Sequence, residues 1–174
     1  MIASLADAWL WYESARRLVR TMGRLGEDHW NNLPWDGGLG RDNQLKELTS
    51  AKILNDARTV LDDLDDLCVL LLFSVFEAAI RERVLAEVEV ELPLPRPVAI
   101  RRALVEMKEG IEHGSFFKVL EPYKHLDADL IEHVNQVRRY RNWVAHGRRT
   151  ERPAVVNPTT AYDRLKRFLD LLDA

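Results

Sequence analysis

Arg138, Arg139, Tyr140, Arg141, Asn142, Trp143, Val144, Ala145, His146, Gly147, Arg148 and Arg149 follow one another, and this run holds the chain's most reactive side chains. An imidazole can take or give a proton near neutral pH. A guanidinium can hold a phosphate through paired N–H donors and stabilise the extra negative charge of a phosphoryl-transfer transition state. RNA supplies its own nucleophile in the 2′-hydroxyl. A base and a phosphate clamp together are therefore enough to break an RNA strand, with no metal required.

The spacing sets the geometry. Asn142 and His146 are four residues apart and share a helix face. Arg141 points about 140° away from His146 on an ideal helix. Its long stem can still reach a shared ligand if His146 sits on the last, fraying turn. The arginines around His146 favour a neutral imidazole, whereas a helix C-terminus favours imidazolium. Arg148 and Arg149, after the histidine, and Arg138 and Arg139, before it, suit contacts to a phosphate backbone. A second Arg-x4-His, Arg24 to His29, contains Gly26 and opens onto a glycine-rich stretch, so it lacks the helical setting.

The elements that must position these residues read as helices. A first helix is expected from Ala3 to about Leu25. Asn31 to Gly40 is turn-rich but carries Trp30 and Trp35 at its borders and centre, so it should pack down. A long helical segment runs from about Asn43 to Val90, with a break near Thr49 and Ser50. Within it, Leu67 to Phe76 is apolar around the whole helix, as for the central helix of a bundle. Pro93, Pro95 and Pro97 end the segment, and Pro97 can open the next helix, to about His113. Gly114 and Ser115 break that one, and a short helix fits Phe116 to Glu121. Asp127 caps a helix over about 128–146, with Gly147 at its C-terminal end. Asn157 and Pro158 start a last helix over about 158–172. The fold class is all-α, a helical bundle of about five to six helices in one domain spanning 1–174.

Composition agrees. The chain has 174 residues, 47% of them hydrophobic and 30% charged, which suits a globular domain and excludes a disordered or fibrous one. The net charge of −3 gives no general pull towards nucleic acid. Basic charge is instead local to the run above, and acid gathers at Asp62, Asp63, Asp65, Asp66 and Glu87 to Glu91. The single cysteine, Cys68, lies in an apolar run and reads as a buried hydrophobe. With no basic leader and no long apolar span, a cytoplasmic protein without membrane contact is expected. His113, His125 and His133 have no metal-binding spacing, and Gly37-Gly38-Leu39-Gly40 lacks the lysine of a phosphate loop, so no metal and no cofactor are expected. Trp9, Trp11, Trp30 and Trp35 read as packing residues, and Trp143 as turned to the core or to a partner chain.

Arg141-Asn142-Trp143-Val144-Ala145-His146, near the end of a penultimate helix, resembles the signature of the HEPN superfamily: arginine, a polar residue, a few mostly apolar residues, histidine. Phe73 to Val84 looks like the core helix of the branch that holds the RiboL-PSP-type nucleases, and Asn157 to Leu172 like the closing helix. Residues 1–42 carry less of the likeness. The resemblance implies a small helical domain that homodimerises so that two Arg and His pairs share one cleft. It implies a metal-independent endoribonuclease, often a toxin or phage-defence effector with an antitoxin partner. Arg141 and His146 would be catalytic and Asn142 would orient the site. Glu77 is the candidate for an acid placed beside the motif, or alternatively a pair for Arg81. Arg138, Arg139, Arg148 and Arg149 would bind RNA. A subgroup of these toxins has a tyrosine two residues after the histidine, a site of regulatory modification, but here that position is Arg148. Two other expectations stand beside the nuclease: a non-catalytic HEPN-like module holding RNA, a nucleotide or a partner protein, and a plain interaction or antitoxin subunit.

Overall fold

The computed structural model describes residues 2–125 and 127–173. Seven α-helices follow one another among them: α1 (Leu5–Arg24), α2 (Asn43–Lys46), α3 (Ser50–Glu91), α4 (Val98–His113), α5 (Phe116–Leu120), α6 (Ala128–Ala145) and α7 (Pro158–Leu172). The architecture is all-α, and no strand occurs among the described residues. Among the described residues, no helix is long and apolar enough to cross a membrane.

The helix starts follow local chemistry. Ser4 caps α1 in a reciprocal box with Asp7. Thr49 caps α3, so the break near Thr49 and Ser50 separates it from the single turn of α2. Pro97 is the residue before α4 rather than its first turn. Asp127 Oδ1 accepts from Leu130 N at 2.8 Å at the head of α6. Asn157 Oδ1 accepts from Thr160 N at 2.8 Å at the head of α7, where Pro158 takes the first position. The turn-rich segment does pack down. Trp30 is buried and donates from Nε1 to Leu48 O, while Trp35 donates to Trp30 O and meets its ring edge-on. Gly40 is obligatory there, because a Cβ would lie 1.8 Å from Trp35 O.

At 42 residues α3 is the axis of the fold, about 63 Å long at 1.5 Å per residue. Helices α1, α4, α6 and α7 all pack on it. The core runs along it through Leu64, Cys68, Val69, Leu72, Phe73, Phe76 and Ile80, covered by Leu5, Ala8 and Tyr12 of α1, Leu130, Val134 and Val137 of α6, and Leu165 and Phe168 of α7. Phe73, Phe76, Phe116 and Phe168 meet mostly edge to face, with centroids 5.6–5.9 Å apart, the geometry that ring quadrupoles favour. The expectation that Leu67 to Phe76 is buried all round needs correction. Leu67 is half exposed and Ser74 is open to solvent, so that face of α3 is not enclosed by the bundle.

Candidate functional site

Helix α6 ends one residue earlier than its polar run suggested. Ala145 is its last residue, and His146 is the C-cap at φ −91° and ψ 17°. The ending has a definite form. Arg148 N bonds Trp143 O at 2.9 Å and Gly147 N bonds Val144 O at 3.0 Å, the paired closure of a Schellman turn. Gly147 takes φ +73° as that turn requires, and Arg148 also takes a positive φ, +59°. Arg148 is held there by ion pairs to Asp63, at 3.0 Å, and Asp66 on α3.

This turn presents His146 to solvent. The imidazole lines a groove of about 370 Å³ with Arg139, Asn142, Trp143, Thr150, Glu151 and Pro153. The far wall is the loop leaving α6, pinned where Trp143 Nε1 donates to Thr150 O at 3.0 Å. Trp143 is half-buried, packed against the edge of the core beside Tyr140 while its ring also faces this groove. Its half-buried ring carries the guanidinium groups of Arg148 and Arg152 at 5.8 and 5.5 Å, a cation–π arrangement that fixes the loop.

Arg141 lies outside that groove. Its guanidinium sits 5.6 Å over the Phe73 ring, donates from Nη1 to Asn142 Oδ1 at 3.0 Å, and approaches Glu77 Oε2 at 3.9 Å. Its Nε is buried without a hydrogen-bond partner among the described residues. Glu77 serves both alternatives raised for it. Its Oε1 accepts from Arg81 Nη2 at 2.8 Å and Nε at 3.1 Å, while Oε2 faces Arg141. Arg81 in turn donates to Ile111 O and Gly114 O, so the acid is anchored to the junction of α4 and α5. Asn142 alone belongs to both surroundings, bonding Arg141 while lining the groove of His146.

The other arginines divide. Arg138 lies over Phe117 at 5.5 Å and donates to the buried Asn135, and burial pulls its pKa down. Arg139 pairs with Glu132, whose carboxyl that bond holds below its ordinary range. Arg148 is neutralised by Asp63 and Asp66, and Arg149 has no ion pair among the described residues. The acids of α3 were read only as bulk charge in the sequence. In the fold, Asp65 accepts from Tyr12 and Asp66 from Tyr140, each at 2.6 Å, and these bonds with burial raise both phenol pKa values. The i, i+4 step from Tyr140 through Val144 to Arg148 gave no hint of them, since each partner lies more than fifty residues away in the chain.

Among the described residues, no group of three or more His, Cys, Asp or Glu side chains converges as a metal site. Comparison with family models, curated proteins and solved structures found no match to this chain.

Proposed function

We propose that the protein is an endoribonuclease of the HEPN type, with Arg141 as the phosphate clamp, His146 as the proton-transfer group and Asn142 as the residue that couples them. The observation that carries this is the placement of Asn142, bonded to Arg141 Nη1 at 3.0 Å and lining the groove of the exposed His146. In the reaction, His146 accepts the 2′-hydroxyl proton as the 2′-oxygen bonds to phosphorus. The P–O5′ bond breaks, and the leaving oxygen takes a proton from an imidazolium or water. Products are a 2′,3′-cyclic phosphate and a 5′-hydroxyl, and the internal nucleophile makes a metal dispensable. Arg141 offsets the developing charge on the non-bridging oxygens. Arg149, Arg139 and Arg148 supply backbone contacts, the last two by exchanging their carboxylate partners for phosphate. A homodimer in the cytoplasm, bringing the Arg141 of one chain towards the His146 of the other, completes the site, and a toxin or phage-defence role with an antitoxin partner fits that assembly.

One observation favours a second reading, a non-catalytic module binding RNA or a partner protein: within one chain Arg141 and His146 do not line a common groove. An RNA digest in the presence of EDTA separates the two. The nuclease predicts cleavage that survives the chelator and ends in a cyclic phosphate. It also predicts loss of cleavage in both His146→Ala and Arg141→Ala proteins that still fold. Undiminished cleavage in either variant removes the proposed site, and RNA binding without cleavage establishes the second reading.

A further inference from the structure

A second large concavity lies away from His146, between α1 and the head of α7. It measures about 540 Å³, and Trp9, Arg16, Arg17, Arg20, Arg24 and Thr159 line it. None of these four arginines makes an ion pair among the described residues, whereas Arg81, Arg83, Arg96, Arg102, Arg139 and Arg148 all do. The single acid in the lining is Glu13.

The spacing has a geometric meaning. Arg16, Arg20 and Arg24 recur every four residues, so they lie in one row with a rise of about 6 Å per step. That is close to the distance between successive phosphates along an extended nucleic-acid strand. Thr159, one residue past Pro158, brings a hydroxyl to the opposite wall at the N-terminal turn of α7. The groove lacks a free aromatic face. Trp9 is already flanked by Tyr12 and Tyr162, with centroids at 5.4 and 5.0 Å, and Tyr12 is buried. It can therefore hold a backbone without stacking bases.

The groove also adjoins the motif region through α3. Tyr12, in its floor, donates to Asp65, and the next residue, Asp66, holds Tyr140 and Arg148 at the end of α6.

We propose that this groove is a docking track for the phosphate backbone of single-stranded RNA, with Arg16, Arg20 and Arg24 taking successive phosphates and Arg17 supporting them. Naming RNA as the strand rests on the endoribonuclease reading, whereas the polyanion affinity of the groove does not. Such a track contributes affinity with little base preference, because its contacts go to phosphates.

The test is fluorescence anisotropy with a labelled oligouridine of about twelve nucleotides, using the His146→Ala protein so that the probe stays intact. The reference is compared with an added Arg16→Gln, Arg20→Gln and Arg24→Gln triple substitution, which removes the charge while keeping a polar side chain and close helix propensity. Affinity should fall about tenfold or more at about 50 mM salt, and the slope of log K against log salt should shrink by about 2, as expected for three single-strand phosphates. Circular dichroism should be unchanged. Glu13→Gln, which removes the one acid, should tighten binding about twofold. Oligoadenosine should bind within a few-fold of oligouridine. Unchanged affinity and slope in the triple variant overturn the track. So does ATP competing as well as the oligonucleotide, which would make the groove a nucleotide pocket, or duplex RNA binding equally well. Because binding is read without cleavage, a failed nuclease assay leaves this result standing. If cleavage does occur, the triple variant should slow it on long RNA and spare a dinucleotide too short to reach α1.

Discussion

Arg141 and Asn142 are adjacent in sequence, yet their side chains meet, Nη1 donating to Oδ1 at 3.0 Å. Successive residues on a helix point about 100° apart and do not ordinarily face each other. Here the Arg141 guanidinium sits over the Phe73 ring of α3 and still reaches the Asn142 amide oxygen. The amide oxygen of Asn142 is thus one of three groups that hold the cation, with the Phe73 ring and Glu77.

Asn142→Ala is accordingly expected to lower RNA cleavage more than stability. A hydrogen bond to a charged group contributes about 1.5–3 kcal/mol, which translates into roughly 10- to 100-fold in rate if it is felt only in the transition state. Asn142→Asp keeps the accepting oxygen and should recover part of the loss. Equal activity in wild type and Asn142→Ala, measured on the same RNA, would show that Arg141 needs no such guide.

The turn after His146 makes an unusual prediction for Arg148. Glycine normally destabilises relative to alanine, but at φ +59° the order reverses. Both Arg148→Gly and Arg148→Ala lose the pairs to Asp63 and Asp66. Arg148→Gly should nevertheless be the more stable by about 1 kcal/mol, because a left-handed backbone costs alanine about that much. For a chain of this size that is about 2–4 °C in Tm. A calorimetric scan that ranks alanine above glycine would mean that the turn relaxes once the arginine is gone.

Much of this arrangement was legible before any coordinates. Asp127, Gly147, Asn157 and Pro158 mark their helix ends through local chemistry, and a cap interacts with residues only three or four positions away. Periodicity found part of the core of α3, with Leu64, Cys68 and Phe76 buried and Leu67 left half exposed. What stayed hidden depends on contacts across the fold. Nothing near Leu67 says that one face of α3 goes uncovered, and Asp63 and Asp66 look like bulk acid until α6 brings Arg148 and Tyr140 to them. The row Arg16, Arg20, Arg24 drew no notice in the sequence. Its value as a groove depends on the head of α7 arriving opposite, more than 130 residues later.

Burial of protonated acids gives the fold a built-in sensitivity to alkaline pH. Desolvation pushes the Cys68 thiol up to about 12, and burial with carboxylate hydrogen bonds raises Tyr12 and Tyr140 above the ordinary phenol range. In each case the folded state keeps a proton that the unfolded chain releases, so stability is full below the unfolded pKa and falls as pH rises above it. The loss starts with the thiol, near pH ~8.5. Cys68 alone should account for about 2 kcal/mol by pH ~10. Urea midpoints at the two ends of that range should drop in wild type and drop less in Cys68→Ala. Parallel loss in both proteins would assign the alkaline sensitivity to other groups.

Glu77 separates structure from function at the site. Its carboxylate is shared, with Oε1 taken by Arg81 at 2.8 Å and Oε2 facing Arg141 at 3.9 Å. Both partners are largely shielded, so removing the charge leaves two guanidinium groups without the acid between them. Glu77→Gln should therefore destabilise by about 1–2 kcal/mol and also weaken RNA cleavage, because Arg141 loses its counter-charge. Arg81→Ala gives the contrast. It removes the donors to Ile111 O and Gly114 O and loosens the junction of α4 and α5, but it leaves Glu77 free to close on Arg141. That variant should lose stability while keeping cleavage at temperatures where it is folded. If cleavage falls in step with Tm in both proteins, Glu77 is a strut for the α4–α5 junction and has no part in positioning Arg141.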